Sequence, residues 1–145
     1  VILVDANLLI YAYGRDLPEH PAAISWLDRQ LNGSPRVGLP WPSLLAFVRL
    51  VINPKVFKTP TTAQSAWEQV ERWLAHESVW IPQPASRHPE ILGRLLRETR
   101  ITSKLVPDLH LAALAIEHDL TLYSSDGDFK LFHGLKWQNP LIEQG

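Results

Sequence analysis

Residues 107–119, PDLHLAALAIEHD, read as a helix that is apolar almost all the way round. Leu109, Leu111, Ala112, Ala113, Leu114, Ala115 and Ile116 do not fit on one stripe. A helix without a wet face is buried in a core. This one nevertheless opens on a carboxylate, Asp108. The chain begins in the same way: residues 1–13, VILVDANLLIYAY, run four apolar residues straight into Asp5. Residues 120–129, LTLYSSDGDF, repeat the pattern, a short apolar segment followed by Asp126 and Asp128. Three buried-looking segments, far apart in sequence, thus end or begin on acids.

Working outward, residues 1–4 read as a strand and residues 6–13 as a short helix with Asp5 or Asn7 near its cap. HPAAISWLDRQLNG, 20–33, is a second helix, with Pro21 in its first turn and Gly33 at its stop. RVGLP, 36–40, is a brief strand. Ser43 can cap SLLAFVRLVIN, which Asn53-Pro54 ends. Thr61 and Gln64 have capping-box spacing for the helix that follows. Its stripe is Ala63, Ala66, Trp67, Val70, Trp73 and Leu74. SVWIP, 78–82, is a strand. RHPEILGRLLRETR, 87–100, is an amphipathic helix with Ile91, Leu92, Leu95 and Leu96 inward. After the 107–119 helix come a strand in LTLYS, a short helix in DGDFKLF and a last strand near LKWQN. Strands alternate with helices and lack polar alternation, which suits a parallel sheet covered on both faces. The expected architecture is one three-layer α/β/α domain over residues 1–145, with a central, mainly parallel sheet.

Composition narrows the function classes. A chain of 145 residues with 46% hydrophobic content suits one domain. No cysteine is present, so disulfide frameworks and thiolate metal sites are excluded. No apolar run approaches the ~20 residues that span a bilayer, and VILV is too short for a signal-peptide core. The expectation is a soluble, cytoplasmic protein without membrane contact. A net charge of −1 argues against nucleic-acid binding by bulk charge alone.

In an open parallel sheet, ligands bind beyond the carboxyl ends of the strands. Asp5 and Asp126 follow strands there, and Asp108 opens the helix that leads into the second of them. Convergent carboxylates repel, and buried unpaired charge is costly. A hard divalent cation relieves both, since Mg²⁺ takes one or two carboxylates with water and phosphate oxygens. The competing reading makes each of the three acids a helix cap, and Asp128 a solvated residue of a short helix.

At these residues the chain resembles a known family. It looks like a PIN domain, and more narrowly a VapC-type toxin ribonuclease of a type II toxin–antitoxin pair. The resemblance runs through VILVDANLLIYA, LPWPSLLAFVRLVINPKVF and LVPDLHLAALAIEHDLTLYSSDGDFKLFHGLKWQNP. It implies a PIN-like α/β/α fold and Mg²⁺- or Mn²⁺-dependent hydrolysis of RNA. Asp5, Asp108 and Asp126 fall on the family's metal-binding acids, Asp128 on an acid often beside them, and Asn7 on a polar residue supporting the first. It also implies an RNA substrate, a cognate VapB-type antitoxin and a homodimer, with helices 43–52 and 61–75 as candidate partner surfaces. One position departs from the pattern: where many members carry a glutamate in the third helix, this chain has Ala46.

For RNA contact the candidates are Arg49, Arg94 and Arg97, with Arg100 and Lys104 if the 87–100 helix continues that far. Lys55 and Lys58 follow the third helix. The competing reading is a solvated face. His110 and His118 are expected to pack or face outward. Three other classes stand beside the ribonuclease, one of them a structural protein, whose main difficulty is the convergent acids. A haloacid dehalogenase-type phosphatase wants D-x-D-x-[TV] after the first strand, and DANLL lacks the second acid. A PIN-like RNA-binding module without full catalysis is favoured by Ala46.

Overall fold

The computed structural model describes residues 1–142. Its central strand is β1 (Ile2–Val4). On one side lies β2 (Val37–Gly38) and then β3 (Val79–Trp80); on the other lie β4 (Thr121–Tyr123) and β5 (Lys136–Gln138). Every pairing is parallel, with Ile2 opposite Val37 and Thr121, and Leu3 opposite Gly38 and Leu122. Side chains alternate across a strand. Ile2 and Val4 therefore enter one core, and Leu3 and Leu122 the other. Unbroken hydrophobicity in β1 is the consequence of having both faces covered. Gly38 is required by close approach, because a Cβ there would lie 2.9 Å from Pro82 Cγ and 3.0 Å from the Ile2 carbonyl oxygen.

One face carries α1 (Ala6–Tyr13), α2 (His20–Leu31), α3 (Trp41–Val51) and α4 (Ala63–Leu74). Their core includes Leu8, Leu9, Trp26, Leu27, Leu44, Phe47, Val70 and Trp73. The opposite face carries α5 (His88–Glu98) and α6 (Val106–Glu117), which bury Ile91, Leu95, Leu109 and Leu111 to Ala115 against the sheet. This is the expected three-layer α/β/α arrangement. The α6 stretch is apolar all round because the sheet and α5 cover it. Among the described residues, no helix is long and apolar enough to cross a membrane.

Local details differ from the sequence expectation. Helix α3 begins at Trp41, capped by Pro40, whose carbonyl accepts the Ser43 and Leu44 N–H groups. Ser43 is buried inside the first turn instead of capping it. Helix α4 is capped by Thr62, which accepts from Ser65 N at 3.0 Å. Thr61 is diverted to the Tyr13 hydroxyl, at 3.0 Å, and Gln64 turns to Glu68, so no capping box forms. The inward stripe of α4 is Ala66, Val70 and Trp73, with half-buried Leu74 packed against the same core, leaving Ala63 and Trp67 exposed. In α5, Leu96 is exposed as well. That helix stops at Glu98 because Thr99 turns extended, so the basic stripe does not continue to Arg100 and Lys104.

Candidate metal centre

Strand order β3-β2-β1-β4-β5 means the chain winds outward from β1 in one direction, then returns to wind in the other. The crevice between the carboxyl ends of β1 and β4 is the switch point, where α/β sheets take their ligands. Asp5 is the first residue past β1, and its N–H donates to the Tyr123 carbonyl at 3.0 Å. Its Oδ1 accepts the Ala6 N–H at 2.7 Å, capping α1. Its Oδ2 accepts the Ser124 hydroxyl at 2.7 Å.

Ser124, fully buried, is the knot of this crevice. Its Oγ also accepts from Asn7 Nδ2 at 3.1 Å and from Asp126 N at 3.0 Å. Asn7 Oδ1 in turn lies 3.4 Å from Ser125 N. Asn7 thus supports the first acid through Ser124. The sequence reading named Asn7 and missed Ser124. The signal in the sequence was a pair of hydroxyls, Ser124 and Ser125, between an apolar strand and two acids, and it does not say which of them meets Asp5.

Asp126 caps the 3-10 turn Gly127–Leu131, its Oδ1 accepting the Asp128 N–H at 2.9 Å. The capping reading therefore holds for Asp5 and Asp126, and the cap is what fixes each carboxylate. It fails for Asp108. That residue sits inside the first turn of α6, whose cap is Leu105, and its carboxylate has no hydrogen-bond partner among the described residues. It points instead at other acids: one oxygen each of Asp108, Asp126 and Asp128 lie within 4.8 Å of one another. Asp5 is not one of this trio.

The electrostatics record the crowding. Asp108 is pushed up to about 6, first by burial and then by the charges of Asp5, Asp126 and Asp128, against a smaller opposing pull from Lys104. Asp5 is also raised, chiefly by burial, although the Ser124 and Ala6 hydrogen bonds hold it down and Asp126 pushes it up. No basic side chain lies within 4.0 Å of these carboxylates among the described residues. An oxygen-only donor set with unneutralised negative charge fits a hard divalent cation such as Mg²⁺ or Mn²⁺.

The PIN domain family model matches residues 2–134. The chain belongs to the PIN domain family. It is 43% identical over 138 residues to Ribonuclease VapC37 of Mycobacterium tuberculosis, covering 95% of this chain and 96% of that one. Its fold is like that of VapBC2 from Rickettsia felis, solved with a DNA fragment from its promoter, with a TM-score of 0.70, 17% identity and coverage of 95% and 97%. A toxin–antitoxin complex from Klebsiella pneumoniae gives a TM-score of 0.62, 21% identity and coverage of 97% and 98%.

The remaining expected residues of this PIN domain lie on or beside α3, α5 and α6. Arg49 is exposed in the last turn of α3, eight residues or about 12 Å along the helix from the edge where Trp41 starts it. Arg94 is tied down, donating to Glu98 at 2.9 Å and to the His133 carbonyl at 3.3 Å. Arg97 lies back over Gly93 of its own helix. Ala46 is half-buried on α3. His110 packs with its Nδ1 3.2 Å from His88 Nε2, and His118 Nε2 lies 2.7 Å from the Gln83 carbonyl oxygen.

Proposed function

We propose that this PIN domain is a metal-dependent endoribonuclease, the toxin of a type II toxin–antitoxin pair, neutralised by a cognate VapB-type antitoxin. The observation that carries the reading is the convergence of the Asp108, Asp126 and Asp128 oxygens within 4.8 Å beside a hydrogen-bonded Asp5. The name of the 43% identical relative, a ribonuclease, supports the substrate, and the solved toxin–antitoxin complex of like fold supports the partner.

Asp5, Asp108 and Asp126 would hold Mg²⁺ or Mn²⁺, with Asp128 completing the ring of acids. Bound there, such an ion supplies polarisation of a phosphate oxygen and a lowered pKa for water. The protein's own part is preorganisation. Hydrogen bonds from Ala6 N–H and the Ser124 hydroxyl hold both oxygens of Asp5 in place. Asp108 reaches the crevice from the opposite layer, at the start of a helix buried along its length. Asp126 and Asp128, half-exposed at the mouth, accept hydrogen bonds from an incoming water and orient it toward the phosphorus. With Ala46 in place of a glutamate, the ring has no carboxylate from α3.

A second copy of the chain is the other partner. Leu45 of α3 is 57% exposed and Trp67 of α4 is 42% exposed, and the Trp67 ring stacks on Trp41 at 6.3 Å. Covering this apolar face favours a homodimer. The antitoxin is expected to place a basic side chain among the acids, an arginine being best suited to pair a carboxylate through its fork.

The decisive experiment is cleavage of single-stranded RNA by purified protein with Mg²⁺ or Mn²⁺ and with EDTA. Cleavage should need the ion and vanish in Asp5→Asn and Asp108→Asn, which also excludes a contaminating nuclease. Mn²⁺ titration calorimetry should show weakened binding in both variants. Wild-type cleavage rates in both would refute the reading.

A further inference from the structure

The acids of the crevice leave one problem unsolved for an RNA substrate: a polyanion must be brought onto a cluster of negative charge. None of the three expected arginines is suited to this. Arg94 is held by Glu98 and His133, Arg97 folds onto its own helix, and Arg49 lies at the far end of α3. Lys104 is different. It belongs to the 3-10 turn Ser103–Leu105, which runs without a break into α6. It therefore sits four residues, about one turn, before Asp108 on one helical run. Leu105 is buried and anchors the turn, while Lys104 itself is exposed.

Among the described residues Lys104 makes no ion pair within 4.0 Å. Its turn leads straight into the first turn of α6, so Lys104 starts about one helical turn from Asp108, exposed and free of a direct ion pair. Its charge opposes those of Asp5, Asp126 and Asp128 at Asp108.

We infer that Lys104 receives the scissile phosphate of the RNA, its ammonium donating to a non-bridging oxygen as that phosphate comes over Asp108, Asp126 and Asp128. The inference rests on the ribonuclease reading and names a substrate-binding residue for it. A lysine does this as a compact charge on a flexible stem, so an arginine replaces it in charge and nearly in reach.

The test uses the full chain and a labelled single-stranded 12-nucleotide RNA. Binding is followed by fluorescence anisotropy in EDTA, and cleavage in Mn²⁺, each over a series of KCl concentrations. In Lys104→Ala, kcat/KM should fall about 10- to 100-fold, the range for one hydrogen bond to a charged group. The slope of log affinity against log salt should become shallower by about 0.7, the value for one phosphate contact on a single strand. Lys104→Arg should restore both. Mn²⁺ affinity by calorimetry should stay the same or tighten, because a cation beside the acids has been removed. An unchanged salt slope in Lys104→Ala, or an activity loss matched by weaker Mn²⁺ binding, overturns the inference. Wild-type protein that binds this RNA with the Lys104-dependent slope yet never cleaves it overturns the ribonuclease reading and leaves the phosphate contact standing.

Discussion

Asp108→Asn should make the metal-free protein more stable at neutral pH. The carboxyl of Asp108 is raised from 3.8 to about 6, by burial first and by three neighbouring acids next. A raised carboxyl binds its proton more tightly in the folded state than in the unfolded chain. Between about pH 4 and pH 6 the native state therefore holds more protons, and stability falls as pH rises through that window. Above it the full penalty is present. About two pKa units at ~1.4 kcal/mol each give roughly 3 kcal/mol. Asp108 is partly open to solvent, so screening reduces this to about 1.5 kcal/mol. Its place in the first turn of α6 returns about 0.5 kcal/mol, because a helix N-terminus favours negative charge. The net expectation is a gain of about 1 kcal/mol for Asp108→Asn at pH 7.5 in EDTA, and almost none at pH 4. The assay is urea unfolding of both proteins at the two pH values. Adding Mn²⁺ should reverse the order at pH 7.5, since only the wild type gains the ion's binding energy. A variant less stable than wild type at pH 7.5 in EDTA would show that these acids do not repel one another, and the argument for a cation would lose its basis.

Three further outcomes follow from the same geometry. Ser124→Ala should cost about 2 kcal/mol, since it strips partners from the half-buried Asp126 N–H and from Asp5, and the Asp5 carboxyl should titrate still higher in a carbon-detected NMR titration. Ala46→Glu should tighten Mn²⁺ binding measured by calorimetry, provided the new carboxylate reaches the crevice; weaker or equal affinity would mean that α3 presents residue 46 elsewhere. Leu45→Glu together with Trp67→Glu should convert a dimer to monomers in light scattering without changing the far-ultraviolet dichroism, and a wild type monomeric at all practical concentrations would remove the dimer.

What the sequence disclosed and what it hid have physical causes. Elements whose type is decided by burial were legible: VILV as a doubly covered strand, and the 107–119 segment as a helix with no wet face. Exact caps were not, because Thr61 and Thr62 are equally good candidates until Tyr13, 48 residues away from Thr61, claims one of them. The same long-range effect hid Ser124. Nothing local distinguishes its hydroxyl from that of Ser125, and only the pairing of β1 with β4 aims it at Asp5. The basic stripe was misjudged for a related reason. Arg94, Arg97, Arg100 and Lys104 look like one helical face until Thr99 turns extended and divides them.

Asp108 shows why the acids could be read at all. Asp5 and Asp126 have ordinary local work as helix caps, so either alone would be satisfied without any ligand. Asp108 has none. A sequence that needed only a buried helix could place alanine there, as it does at 112, 113 and 115, with better helix propensity and no charge to desolvate. Keeping an unpartnered carboxylate at that point, with oxygens of two more within 4.8 Å, is expected to lower stability. A cation joining these acids would relieve their repulsion, and that relief would add to the ion's binding energy. That ties the stability experiment to the functional one. If Asp108→Asn raises stability in EDTA and abolishes Mn²⁺ binding together, a single set of repelling charges accounts for both. If the two effects separate, the crowding of acids and the site of chemistry are different features of this crevice.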